Sequence, residues 1–125
     1  MPHSFALRVY YEDTDLAGIV YYANYLKFIE RARSEMVRAL GVDQVALKAE
    51  AGVVFAVRSL TADYLSPARF DDALAVETDV VSVGGARIVL DQAVLRGTER
   101  LFEARVTLVC VGVTGATRIP ADVRR

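Results

Sequence analysis

Three acids fall within four positions, Glu12-Asp13-Thr14-Asp15, and Gly18 follows them just ahead of a stretch with helical periodicity. Those residue types in that order suit chemistry at a carbonyl carbon. A helix N-terminus presents unpaired backbone N–H groups and the positive end of the helix dipole, and both stabilise negative charge developing on a carbonyl oxygen. A carboxylate held just upstream can attack that carbonyl or activate a water against it. Acid and oxyanion site together suffice for acyl transfer. The plainer alternative is that the acids only complement the helix dipole from a solvated turn, and spacing alone leaves both readings open.

The remaining composition narrows the chemistry. His3 is the only histidine and Cys110 the only cysteine. Serine–histidine–aspartate and cysteine–histidine arrangements are therefore out of reach, as are an internal disulfide and a histidine- or cysteine-rich metal cluster. Catalysis must rest on carboxylates, hydroxyls, backbone dipoles or an external cofactor, and no metal is expected. His3 is expected in a mobile terminus and Cys110 in the core of a strand. The formal net charge of −1 and the pI of about 5.8 show none of the basic imbalance that nucleic acid or an anionic membrane demands. The apolar run over 106–113 is broken by Thr107 and Gly112, far short of the roughly 20 residues a membrane span needs. With no leader visible in Met1-Pro2-His3-Ser4-Phe5-Ala6, a cytoplasmic setting is expected.

These side chains need elements to hold them. The 125 residues, 54% hydrophobic and 25% charged, fit one domain over 1–125. Phe5 to Tyr11 alternates like a first strand. From about Tyr22 to Leu40 the period becomes helical. Leu26, Ile29, Ala32, Met36, Val37 and Leu40 share one side, while Lys27, Glu30, Arg31, Ser34, Glu35 and Arg38 lie mostly on the other. Asn24 is the expected N-cap and Gly41 the stop, and Asp43 caps a short second helix through Glu50. Glu30 and Arg33 are placed to pair at i, i+3 spacing. Four long strands follow, at Val53–Leu65, Ala73–Val83, Ala86–Arg96 and Leu101–Val113, with turn signals at Ser66-Pro67, Gly84-Gly85 and Gly97. The pattern predicts an antiparallel meander, then a tail or loop from Thr114 to Arg125. The class is α+β, with an antiparallel sheet of about five strands wrapped around a long central helix. So small a sheet leaves edges and a face uncovered, and a homo-oligomer is expected.

The run from Tyr10 through Asp13-Thr14-Asp15 and Gly18 to Asn24-Tyr25 resembles the signature of the 4-hydroxybenzoyl-CoA thioesterase family, whose fold is the hotdog. Tyr11-Glu12-Asp13-Thr14-Asp15, with Glu30-Arg31-Ala32-Arg33, is most similar to its Tol-Pal-associated acyl-CoA thioesterase branch. Tyr64-Leu65-Ser66-Pro67-Ala68-Arg69-Phe70-Asp71-Asp72 resembles the family's second landmark. The resemblance implies hydrolysis of an acyl-coenzyme A thioester without a cofactor. Asp15 matches the catalytic aspartate, a nucleophile or general base, and Gly18 the glycine that lets backbone approach the thioester. The Tyr22 backbone N–H matches the donor that polarises the carbonyl, and Asp13 reads as a structural acid tying down the turn. The Tol-Pal-associated branch commonly carries histidine where this chain has Tyr22. A phenol with an ordinary pKa of about 10 is no base at neutral pH, but the backbone role survives the substitution.

Substrate binding extends the same expectation. Asp63 lies on a strand where related enzymes sometimes place a polar site residue, or it is a plain surface acid. Arg69 and Arg87 are solvated arginines or contacts for a coenzyme A phosphate, an anion that guanidinium suits. Tyr25 belongs to a set of tyrosines of which some line an acyl pocket and others pack in the core. The resemblance further implies a homodimer or dimer of dimers, hence a homotetramer, with the site at the dimer contact. An acyl-carrier protein is a possible alternative thioester carrier. A non-catalytic acyl-thioester binding module and a hydratase are the rival readings. The hydratase pattern places a histidine where this chain has Val20.

Overall fold

The computed structural model describes residues 2–113 and 115–120. Strand β1 (His3–Arg8) leads through a single 3₁₀ turn at Tyr11–Asp13 to helix α1 (Asn24–Ala39), then α2 (Gln44–Ala51). Strands β2 (Val54–Tyr64), β3 (Ala73–Val83), β4 (Arg87–Arg96), β5 (Glu99–Gly112) and the short β6 (Gly115–Ala116) follow among the described residues. His3 is not in a loose terminus; it sits in β1 opposite Thr78.

The strands form one antiparallel sheet in the order β1-β3-β4-β5-β2, with β6 added beside β5. The expected meander holds for β3, β4 and β5 but not for β2. That strand pairs with β5, from Val54 opposite Val111 to Tyr64 opposite Phe102, because the 65–72 connection carries the chain across the sheet. Leu65 and Ser66 both donate backbone hydrogen bonds to the Leu101 carbonyl as the connection sets out. Register shifts at Val57/Ser59 in β2 and Val80/Ser82 in β3 bend the strands, which curls the sheet around α1.

Helix α1 buries Tyr25, Phe28, Ile29, Ala32 and Met36, a stripe at helical spacing. The expected stripe is rotated, since Leu26 and Leu40 are exposed. Against it the sheet presents Val76, Val94, Phe102 and Val106. Burying each of the larger side chains contributes roughly 1.5–3 kcal/mol relative to leaving it in water. Asp43 caps α2 as expected, its carboxylate accepting the Ala46 amide hydrogen at 3.0 Å. The tail is more than a loop: Gly115–Ala116 pairs with β5, and Ile119 is buried with Val53 and Cys110 in a second cluster. Cys110 is fully buried, and that burial pushes its thiol above the ordinary range.

Candidate active site

Residues 14–20 make a narrow loop closed by a bridge between Thr14 and Val20. Inside it the Asp15 amide donates to the Ile19 carbonyl at 2.9 Å and the Gly18 amide to the Asp15 carbonyl at 2.9 Å. The Asp15 carboxylate folds back to accept the Ala17 amide hydrogen through Oδ1 at 2.9 Å. Its Oδ2 has no hydrogen bond among the described residues, and the side chain is exposed. Gly18 has φ +79°, and a Cβ there would meet nothing within 4 Å. Left-handed backbone, rather than crowding inside the protomer, is what requires a glycine.

Asp13 ties this loop to the helix. Its Oδ2 accepts the Tyr10 amide hydrogen at 2.8 Å, which suits the structural acid expected of it. Its carbonyl accepts from the Tyr21 amide and from Asn24 Nδ2, both at 2.9 Å. Asn24 is therefore not the N-cap; it is the first helical residue, and its amide bonds backwards to the acid loop. The Asn24 amide donates to the Tyr21 carbonyl at 2.8 Å and the Leu26 amide to the Ala23 carbonyl at 3.1 Å. The Tyr22 and Ala23 N–H groups have no acceptor among the described residues. An exposed carboxylate and two free helix-start donors thus share one hydrogen-bonded unit.

A second loop supports the first. The Val20 amide donates to the Ala68 carbonyl at 2.9 Å, and Ile19 bridges to Arg69. The Ala68 amide donates to the Tyr25 hydroxyl at 3.0 Å. Asp72 accepts the Arg69 amide hydrogen at 2.8 Å and bonds the Arg96 guanidinium at 2.7 Å, while Arg96 also bonds Glu99 at 2.8 Å. Desolvation alone would raise the Asp72 carboxyl, but the Arg69 amide and the Arg96 guanidinium outweigh it and hold the pKa below the usual carboxylate range.

The expected site residues therefore divide. Asp15, Gly18 and Tyr22 share one loop and helix start, with Arg69 exposed alongside. Tyr25 is corrected to a core residue. It is 3% exposed and stacked on Phe102 at 5.0 Å, and its phenol is raised chiefly by desolvation. Asp63 stands opposite Glu103, on the sheet face turned away from α1. There it borders a charged cavity of about 350 Å³ with Asp91 and Arg105, away from Asp15 of its own protomer. Arg87 is paired near the Val83 end of β3, whereas the site loop docks near its Ala73 end. That strand separation is roughly 30 Å, so Arg87 does not reach Asp15 of the same protomer. Glu30 and Arg33 form no ion pair among the described residues; the Arg33 guanidinium bonds the Gln92 side chain at 3.0 Å instead. Tyr64 was not anticipated at the site: its hydroxyl donates to the Tyr22 carbonyl at 3.0 Å. The Tyr21 phenol is raised chiefly by the neighbouring Tyr22 side chain, with the Asp15 charge a smaller cause.

Residues 17–103 match the family model described as the thioesterase superfamily. The chain belongs to that superfamily. An acyl-CoA thioesterase of the YbgC type from Haemophilus influenzae is 48% identical over 123 residues, spanning 97% of this chain and 90% of the relative. YbgC represents the Tol-Pal-associated branch that the acid loop resembles. A probable thioesterase from Bartonella henselae superposes with TM-score 0.90 at 35% identity, covering 96% of this chain and all of that one. An aspartate-to-asparagine variant of 4-hydroxybenzoyl-CoA thioesterase, bound to 4-hydroxybenzoyl-CoA, superposes with TM-score 0.91 at 25% identity over 98% of this chain and 95% of its own. The fold is the hotdog thioesterase fold.

Proposed function

We propose that the chain hydrolyses acyl-coenzyme A thioesters to a free acid and coenzyme A, with Asp15 as the catalytic carboxylate and the Tyr22 backbone N–H as carbonyl donor. The observation that carries this is that an Asp15 oxygen and the amides at the start of α1, all without partners among the described residues, belong to one hydrogen-bonded unit. The helix end stabilises the oxyanion, in keeping with the general weight of preorganised donors in acyl transfer. As nucleophile, Asp15 forms an acyl anhydride as the C–S bond breaks and the thiolate leaves; water then cleaves the anhydride and returns the carboxylate. As general base, Asp15 takes a proton from a water that attacks the same carbon. Either route consumes one water for each thioester.

A homodimer or dimer of dimers completes the proposal, with the site at the subunit contact. Strand β2 is the last strand in the sheet order, and its Val54 and Val57 are exposed. An open edge with apolar side chains favours pairing with another copy. In such an assembly Asp63 and Arg87 of one subunit are candidates for the site of the other. A cytoplasmic setting is supported by the acyl-CoA substrate class of the relatives. An acyl-carrier protein is the alternative thioester carrier.

Thiol release from short, long and aromatic acyl-CoAs, compared between the native chain and Asp15→Asn, tests the proposal, with a blank for Cys110. Turnover that collapses at least about 100-fold in the variant, with fold and assembly intact, is expected. Equal turnover by the variant would remove Asp15 from the mechanism. Tight acyl-CoA binding with no turnover by either protein would make the chain a binding module.

A further inference from the structure

Tyr64 is the last residue of β2 and half-exposed. Its hydroxyl reaches across 42 residues of sequence to donate to the Tyr22 carbonyl at 3.0 Å. That carbonyl lies just outside the helical ladder, since Ala23 is the N-cap of α1. The Leu26 amide bonds the Ala23 carbonyl, at 3.1 Å, and no backbone amide among the described residues donates to Tyr22. The Tyr64 phenol is the one donor this carbonyl has among the described residues.

The ring is braced as well as bonded. It meets Tyr25 edge to face at 5.5 Å and Phe102 at 5.0 Å, both of them buried, and on its other side Tyr22 at 6.2 Å. Tyr64 therefore links the fixed core to the turn whose Tyr22 and Ala23 amides have no acceptor among the described residues. Desolvation raises its phenol pKa, so the hydroxyl keeps the proton it donates across the neutral range.

We infer that Tyr64 is a positioning residue for thioester hydrolysis, holding the Tyr22 turn so that its free N–H stays aimed at the substrate carbonyl oxygen. The inference rests on the proposed role of the helix start. Removing an oxyanion donor outright costs on the order of 100- to 1000-fold in kcat. Letting a donor drift costs less, and Tyr64→Phe, which keeps the ring and loses only the hydroxyl, should lower kcat roughly tenfold with KM little changed. Glu50→Gln, an exposed change in α2, should leave kcat unchanged.

The decisive readout is the infrared carbonyl stretch of hexanoyl-CoA and 4-hydroxybenzoyl-CoA, each labelled with carbon-13 at the thioester carbonyl. Both are bound to Asp15→Asn to prevent turnover, with and without Tyr64→Phe. A shift to lower frequency on binding, reduced in the double variant at similar affinity, is the expected result. The same shift in both variants overturns the role of Tyr64 while leaving the helix-start reading intact. No shift in Asp15→Asn itself overturns the helix-start reading and the Tyr64 inference with it.

Discussion

Tyr25 accepts the Ala68 amide hydrogen on its phenol oxygen at 3.0 Å, while the Ala68 carbonyl accepts the Val20 amide hydrogen at 2.9 Å. One buried helix residue thus carries the second loop, and the second loop carries the acid loop. Tyr25→Phe preserves the stack on Phe102 but leaves the Ala68 N–H, in a fully buried residue, without an acceptor. An unsatisfied buried donor costs about 1–3 kcal/mol. Urea unfolding should show that loss for Tyr25→Phe, and a change within about 0.5 kcal/mol for the exposed Tyr11→Phe. Equal midpoints for the two variants would mean that the Ala68 bond holds nothing.

Gly18 makes a separate prediction about the same loop. Its φ of +79° is costly for any residue with a Cβ, yet that Cβ would touch nothing within 4 Å. Gly18→Ala should therefore cost about 1 kcal/mol of backbone strain with no steric term. Gly18→Asn should cost less, because asparagine tolerates the left-handed region better. Thermal unfolding of the two variants ranks them; a more damaging asparagine would point to crowding from outside the protomer.

The contrast between Asp63 and Tyr64 shows what the sequence holds and what it hides. Helix α1, the Asp43 cap and the span of β3 are legible because each is a local pattern of period, cap or turn. The face on which Asp63 falls is not local. Phe55 and Val57 border the cavity beneath α1, and simple alternation would then put Ser59, Thr61 and Asp63 inward. The shift between Val57 and Ser59 inverts that parity, so Leu60, Ala62 and Tyr64 face the helix and Asp63 the outside. Likewise Tyr22 and Tyr25 are three residues apart on one helix start, and only the packing of Phe102 decides which ring is core. The acid loop itself is legible, because the Asp13 and Asp15 carboxylates and the Gly18 amide make their bonds within a few residues of themselves.

Asp72 gives the loop a pH dependence. Its carboxyl is held below the ordinary carboxylate value in the folded chain. A depressed pKa stabilises the fold above the unfolded value of about 3.9 and loses that contribution as pH falls through the folded value. Asp72→Asn should therefore be less stable than the native chain at pH 7, with the gap narrowing below about pH 4. Melting temperatures of both proteins across that range check the sign. A gap that stays constant with pH would show that hydrogen bonding, and not charge, fixes Asp72 to Arg69 and Arg96.

Beneath the helix, Arg33 and Gln92 form a polar contact whose two halves should behave differently. Gln92 is 2% exposed and fully engaged. It accepts from Arg33 at 3.0 Å and donates to the Ile29 carbonyl at 3.0 Å and to Thr78 Oγ1 at 2.9 Å. Gln92→Leu keeps the bulk but strips three hydrogen bonds from buried or half-buried partners, and should cost about 1–3 kcal/mol. Arg33 is half-buried, its pKa is lowered by desolvation, and it forms no ion pair among the described residues. Arg33→Met removes a poorly solvated charge but leaves the buried Gln92 Oε1 without its donor; the two effects oppose, so it should cost less than Gln92→Leu. Urea denaturation at two protein concentrations separates the outcomes. A large loss for Arg33→Met that grows on dilution would mean that a carboxylate from another subunit compensates this guanidinium in the assembly.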